Sequence, residues 1–318
     1  MPLLSLKFTV KTCLRKVFGK NFVCWLLYAR NKILNIDLFQ ILRTKDTNVF
    51  YFYISPKLKH PGLADRLKAI ISCYYIAKQN GYQFKIIFNN PFHLDDFLKP
   101  NKVDWTTTEK RPACAVIDTC LFDYYRNFHR LKHDKHYVCY NYIGEDLISE
   151  DFLLHWRELF NELFRVSDDI NNTINAYPFH KDGYIAIHLR FLNALGSFEN
   201  SHYKPLEKKQ QQELIERCHN AIKNICNKHT DLPVLVFSDS AYFLQSLSAL
   251  PVHTLGSQNI SHISFSSNNE SVRKTFVDLL MISRAYKIYR IVSPEMYKSG
   301  FPIVAGRIED KEVQGIVV

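Results

Sequence analysis

The chain has no acidic residue before Asp37, no Cys-x-x-Cys pair, no glycine-rich phosphate loop and no membrane-length apolar run. Each absence excludes something. The apolar run at 22–29 has eight residues, where a bilayer-spanning helix needs roughly 20. Lys7, Lys11 and Arg15 interrupt any apolar core of a secretory signal, and no small-residue cleavage site follows, so the chain is expected to stay in the cytoplasm. The eight cysteines, Cys13, Cys24, Cys73, Cys114, Cys120, Cys139, Cys218 and Cys226, complete no zinc-ligand spacing with neighbouring histidines. No metal site is therefore expected, and the thiols are expected to be reduced and mostly buried. The turn at 60–66 holds a single glycine, Gly62, and lacks a Gly-Lys-Ser/Thr ending, which excludes a dinucleotide fingerprint and disfavours ATP chemistry.

What is present describes a folded α/β protein. Of 318 residues 47% are hydrophobic and 14% aromatic, enough for real cores and long enough for two domains of ordinary size. The net charge of +10 favours anionic partners: nucleic acid, an anionic membrane surface or a phosphorylated substrate. Much of it lies at the front, where Lys7, Lys11, Arg15, Lys16, Lys20 and Arg30 are interleaved with Leu3, Leu6, Phe8, Val10 and Leu14. That mixture fits an amphipathic helix lying on an anionic bilayer, and equally an ordinary surface helix. No nucleic-acid-binding motif or aromatic-basic platform accompanies the charge, so nucleic acid is not expected as a partner.

Aromatic and β-branched residues predict a buried strand at 48–54. The spacing of Leu67, Ile70, Ile71, Tyr74 and Tyr75 predicts a helix over 67–79 that stops near Gly81. A strand at 84–88, weaker strands at 115–117 and 137–142, and a strongly amphipathic helix over 151–166 follow. The polar stretch 168–182, interrupted by Pro178, reads as a hinge. Beyond it, strands at 184–191, 234–237, 252–255 and 287–292 alternate with helices at 205–228, 242–250 and 272–284, and a turn and helix run over 294–307. This pattern predicts a basic leader, 1–47, and two Rossmann-like domains, 48–178 and 179–318, facing a cleft.

Ligands of open α/β sheets bind outside the carboxyl ends of strands, and three such places carry polar residues in the second half. His188-Leu189-Arg190 ends an apolar strand. A guanidinium there can donate paired hydrogen bonds to a diphosphate whose charge grows as a glycosidic bond breaks. A salt-bridged arginine at a sheet edge, beside a core histidine, is the competing reading. Ser238-Asp239 ends the next strand and fits either a helix cap or a contact to a ribose or base. Ser299-Gly300-Phe301 opens a helix, giving a small anion site or a plain cap. In the first half, Gly62, Asp65 and Arg66 form a turn directed at the cleft, or the start of a capped surface helix.

In order and spacing these four segments resemble the α1,2-, α1,6- and protein O-fucosyltransferase superfamily, which includes the nodulation fucosyltransferases. Gly62 to Arg66 resembles its N-terminal glycine motif. Residues 184–190 resemble the motif ending in H-x-R, 236–239 the Ser/Thr-Asp turn, and S-G-F-P-I-V-A at 299–305 the S-S-F-S-x-x-A segment. The resemblance implies a GT-B fold and inverting, metal-independent transfer from GDP-fucose; an oligosaccharide or lipid-linked glycan in surface polysaccharide synthesis is the acceptor expected, and the basic N-terminus would hold a cytoplasmic chain near it at the inner face of the membrane. No cofactor is implied. Arg190 would contact the donor phosphates, with His188, Asn193, Ser238, Asp239, Ser299, Gly300 and Phe301 around the donor. Two departures matter. The H-x-R-R-x-D form has Arg where this chain has Phe191 and Asp where it has Asn193, and an amide cannot take a proton as a carboxylate does. Asp65 and Glu199 then stand as candidate bases. A glycan- or nucleotide-binding protein without turnover, on the same scaffold, is the alternative.

Overall fold

Strand and helix alternation resolves into two four-stranded sheets, each parallel throughout. The computed structural model describes residues 49–56, 60, 62–108, 116–118, 136–140, 150–180, 183–196, 204–255 and 269–318. The basic leader and Glu199 lie outside them. In chain order the elements are β1 (Val49–Tyr53), α1 (Leu63–Gln79), β2 (Gln83–Ile87), β3 (Leu98–Pro100), β4 (Val116–Asp118), β5 (His136–Tyr140), α2 (Glu150–Leu154), α3 (Trp156–Leu163), β6 (Phe164–Val166) and α4 (Asp168–Asn175). There follow β7 (Ile185–Leu189), α5 (Lys208–Lys228), β8 (Val234–Ser238), α6 (Ala241–Ser246), α7 (Asn269–Arg284), β9 (Lys287–Val292), α8 (Phe301–Ile308) and β10 (Val313–Val317). They group into two compact units: one holds β1, α1 from Asp65, β2, β4, β5 and α2, the other β3 and everything from Trp156 onward.

In the first unit the strand order is β2-β1-β5-β4. Every residue of β1 is buried, the mark of a central parallel strand covered on both faces. The Phe84 ring lies 6.0 Å from Phe50 and 5.4 Å from Tyr74, joining β1, β2 and α1 in one core. The predicted helical stop is present, with Gly81 at φ +70°, a conformation that favours glycine after a helix.

In the second unit the order is β10-β9-β7-β8. Alternation along β7 divides its side chains between two faces. Ile185, Ile187 and Leu189 enter an apolar core with Leu214, Ile222 and Ile225 of α5 and Phe243 of α6. Ala186 and His188 belong to the opposite face. Gly306 of α8 permits a close chain crossing: a Cβ there would stand 2.5 Å from the Lys311 carbonyl oxygen, which only glycine tolerates. That approach turns the chain directly into β10.

Three sequence expectations differ from the fold, and one strand was not expected. The helix expected over 151–166 breaks at His155, and its last three residues form β6, which pairs with β3. The polar stretch from 168 opens with α4, whose Ile170 and Ile174 are fully buried one turn apart. Residues 252–255 contribute a single bridge, His253 to Leu235, rather than a strand. The edge strand β10 was not anticipated. Among described residues, no helix is long and apolar enough to cross a membrane, and no cluster of His, Cys, Asp or Glu could hold a metal. Cys73 and Cys218 are buried free thiols and Cys226 is half-buried; burial pushes the Cys218 thiol up to about 12.

Candidate functional site

The carboxyl end of β7 carries the densest set of polar groups predicted from sequence. Arg190 is the first residue past the strand, between β8 and β9 in the sheet. Its Nε lies 3.8 Å from Asp239 Oδ2, an ion pair too long for a hydrogen bond. Its guanidinium stacks over the Tyr297 ring at 5.2 Å, and its carbonyl accepts the Tyr297 amide at 3.1 Å. Nε itself is buried without a hydrogen-bond partner. The side chain is therefore fixed in direction while part of its donor capacity stays unused.

Asp239 supplies the fixing. Its two carboxylate oxygens accept the backbone amides of Phe191 at 2.8 Å and Leu192 at 2.9 Å. Leu192 has φ 49°, an uncommon conformation for a non-glycine residue, and the paired amide bonds hold it there. Burial raises the Asp239 pKa, opposed by the Phe191 amide, Arg190 and the Leu192 amide. Helix capping, the other reading of this turn, falls to the next residue: Ser240 Oγ accepts the Phe243 amide at 3.2 Å. Ser238 Oγ accepts the Ser240 amide, and Asn193 accepts the Gly196 amide through its carbonyl.

His188 is 7% exposed and its ring lies 5.6 Å from that of Phe301. Burial, followed by the charges of Arg190 and Arg290, drives its pKa down to about 3, so it is neutral at physiological pH. Its Nδ1 is buried and unpartnered. Ser299 is 1% exposed; its Oγ accepts the Phe301 amide at 3.2 Å. Gly300 is the N-cap of α8; the Val304 amide bonds the Gly300 carbonyl at 3.1 Å and Pro302 in the first turn has no amide hydrogen, so the helix start itself offers an anion few donors.

His188, Arg190, Asp239, Ser299, Gly300 and Phe301 thus share one end of the second unit's sheet. Arg290 and Tyr297 join them without having been singled out as site residues. The sequence signal for Arg290 was available: a lone arginine inside the apolar strand K-I-Y-R-I-V. In the first unit, Asp65 pairs with Lys68 at 2.7 Å. Arg66 is 1% exposed, with Nη1 donating to the Asn90 carbonyl at 3.4 Å and its guanidinium over Phe88 at 5.2 Å. That guanidinium is directed into its own unit.

Parallel sheets with polar groups gathered at strand carboxyl ends define a Rossmann-like α/β protein, and the fold is of the GT-B type found in fucosyltransferase structures. The chain is similar to fucosyltransferase NodZ from Bradyrhizobium (TM-score 0.53, 15% identity, covering 82% of this chain and 92% of that one). It is likewise similar to NodZ α-1,6-fucosyltransferase soaked with GDP-fucose (TM-score 0.54, 14% identity, 82% and 92% covered). A mutant of Arabidopsis thaliana FUT1 in complex with GDP matches across 97% of this chain and 78% of its own (TM-score 0.54, 13% identity). No protein-family model and no curated protein sequence matches the chain.

Proposed function

We propose that the chain is a glycosyltransferase that moves fucose from GDP-fucose to a glycan hydroxyl with inversion and without a metal ion. The observation that carries this reading is Arg190: a guanidinium at the carboxyl end of β7, aimed by Asp239 and Tyr297, with a buried Nε still unbonded. The structures sharing this fold include one soaked with GDP-fucose and one in complex with GDP.

In the transfer, the acceptor oxygen forms a bond to the sugar's anomeric carbon as the bond from that carbon to the β-phosphate oxygen breaks. The acceptor proton passes to a base, and GDP leaves with an added negative charge. Arg190 stabilises that charge as it develops. Asp65 and Glu199 are the carboxylates proposed for the base; Asp65→Asn and Glu199→Gln test them.

Titration with GDP and a panel of GDP and UDP sugars, followed by a transfer assay, tests the whole. GDP binding should weaken by about 10–100-fold in Arg190→Ala, the range for losing charge-assisted hydrogen bonds. Failure of the parent chain to bind any nucleotide overturns the proposal. One observation favours the non-catalytic reading: Phe191 is 1% exposed and packs 4.7 Å from Phe243, so position 191 offers no second cation. Tight GDP binding with no turnover of any donor would select that reading.

A further inference from the structure

A diphosphate accumulating charge is poorly served by one guanidinium, and the resemblance puts the second at a position that here holds Phe191. The ring of Phe191 lies in the apolar core of the α5 and α6 face. A second cation has to come from the other face, from an element beside β7.

Strand β9 provides it. Arg290 pairs in register with His188 across the parallel β7 and β9 ladder, and residues in register project to the same face. Arg190 follows His188 by two positions. The segment leading into α8 lies against all three: the Tyr297 amide bonds the Arg190 carbonyl, Arg290 Nη1 donates to the Ser299 carbonyl at 3.2 Å, and Phe301 stacks on His188. A guanidinium within a sheet carries a large desolvation cost that a carboxylate normally offsets. Among the described residues no carboxylate pairs with Arg290, and its Nε is buried without a partner.

The same orphaning recurs at Arg190 Nε and His188 Nδ1, although buried polar groups are nearly always satisfied. Asp239, the carboxylate that pairs with Arg190 among the described residues, is already engaged by two amides. Three unpartnered nitrogens, two of them on permanent cations, thus lie where the segment leading into α8 meets β7 and β9. An anion is what this arrangement lacks.

We propose that Arg290 is the second cation of a nucleoside-diphosphate subsite, placed on β9 in place of the arginine missing at position 191. This rests on the nucleotide-sugar reading above. Its Ser299 bond fixes the guanidinium against the segment leading into α8, so that cations from β7 and β9 converge on the diphosphate.

The test is calorimetric titration of the full chain with GDP and with guanosine, comparing the parent with Arg290→Met and Arg190→Met. Arg290→Met should weaken GDP by about 10–100-fold and leave guanosine within about twofold of the parent, because guanosine carries no phosphate. Unchanged GDP affinity in Arg290→Met with weakened affinity in Arg190→Met overturns the role of Arg290 alone. Unchanged affinity in both overturns the diphosphate reading itself. Equal weakening of GDP and guanosine assigns Arg290 a merely structural part and also overturns the proposal. Should Arg290→Met fail to fold, Arg290→Gln, which keeps a donor for the Ser299 carbonyl, is judged by the same criteria.

Discussion

The second unit contains two arginine clusters built in opposite ways. Between α4 and α7, Arg273 donates from Nε and Nη2 to both oxygens of Asp169 at 2.8 Å and from Nη2 to Thr173, while Arg284 donates to Asn171 at 2.7 Å. At the end of β7, Arg190 reaches its carboxylate only at 3.8 Å, and Arg290 bonds one carbonyl. The first cluster is exposed and satisfied; the second is partly buried and short of acceptors. Satisfaction identifies a structural tie, since exposed pairs need no ligand to complete them. Buried, unfilled donor capacity identifies a place held ready for an anion.

The largest expected effect that would break this comparison concerns pH. Burial beside Arg190 and Arg290 lowers His188 to about 3 in the folded chain, against an ordinary histidine value of 6.5. Between those values the unfolded chain binds a proton that the folded chain refuses, so stability rises with pH across that window. Acidification from 6.5 towards 3 should therefore cost on the order of 4 kcal/mol through this one group. Denaturant unfolding at stepped pH measures it, and His188→Gln should flatten the slope. An equal slope in parent and variant would mean that His188 is not held in a cationic, water-poor pocket. Because a bound diphosphate would offset the two arginines, saturating GDP should also shallow the parent's slope.

Second in size is Asp239. Asp239→Ala removes the acceptor of two amides and the carboxylate that pairs with Arg190. Unmade buried hydrogen bonds cost about 1–3 kcal/mol each, so a stability loss of about 3 kcal/mol is expected. GDP affinity should fall with it as Leu192 leaves φ 49° and Arg190 loses its aim. Asp239→Asn keeps one acceptor oxygen and should recover roughly half of the stability. Thermal unfolding and GDP titration on the same samples separate the outcomes. Full GDP affinity in Asp239→Ala would show that Arg190 needs no positioning.

How far all this was legible depends on whether a feature is written locally. The ends of β7 and β8 were readable because a run of apolar, β-branched residues stops at a charge, and that placed Arg190 and Asp239. The job of Asp239 was not readable: accepting amides 47 and 48 positions away depends on strand order. Arg290 was visible as a charge in a strand, yet its face is set by the register of β9 on β7, a tertiary fact. The break at His155 has no proline or glycine to announce it, since the apolar pattern runs through from Phe152 to Phe164. In α4 the one-turn pair Ile170 and Ile174 was present but lay in an asparagine-rich stretch that favours a turn. β10 escaped because V-Q-G-I-V holds a glycine and is mostly exposed at the sheet edge, where strand signals are weakest.

The smallest effect sharpens the comparison from its other side. Arg273 and Asp169 have ideal paired geometry, but their side chains are 40% and 66% exposed, so water screens most of the attraction. Arg273→Ala should lower stability by less than about 1 kcal/mol. The contribution has a defined pH sense. The bond to Arg273 holds the Asp169 pKa below its usual 3.8, so the stabilisation is present above that value and is lost as pH falls through the lowered one. High salt should diminish it, while GDP affinity should stay at the parent value, since the hydrogen bonds of Arg273 go to Asp169 and Thr173 of α4. Titration of Arg273→Ala beside Arg190→Met checks this. A loss of GDP affinity in Arg273→Ala comparable to that in Arg190→Met would remove the distinction between satisfied and unfilled arginines on which the site assignment stands.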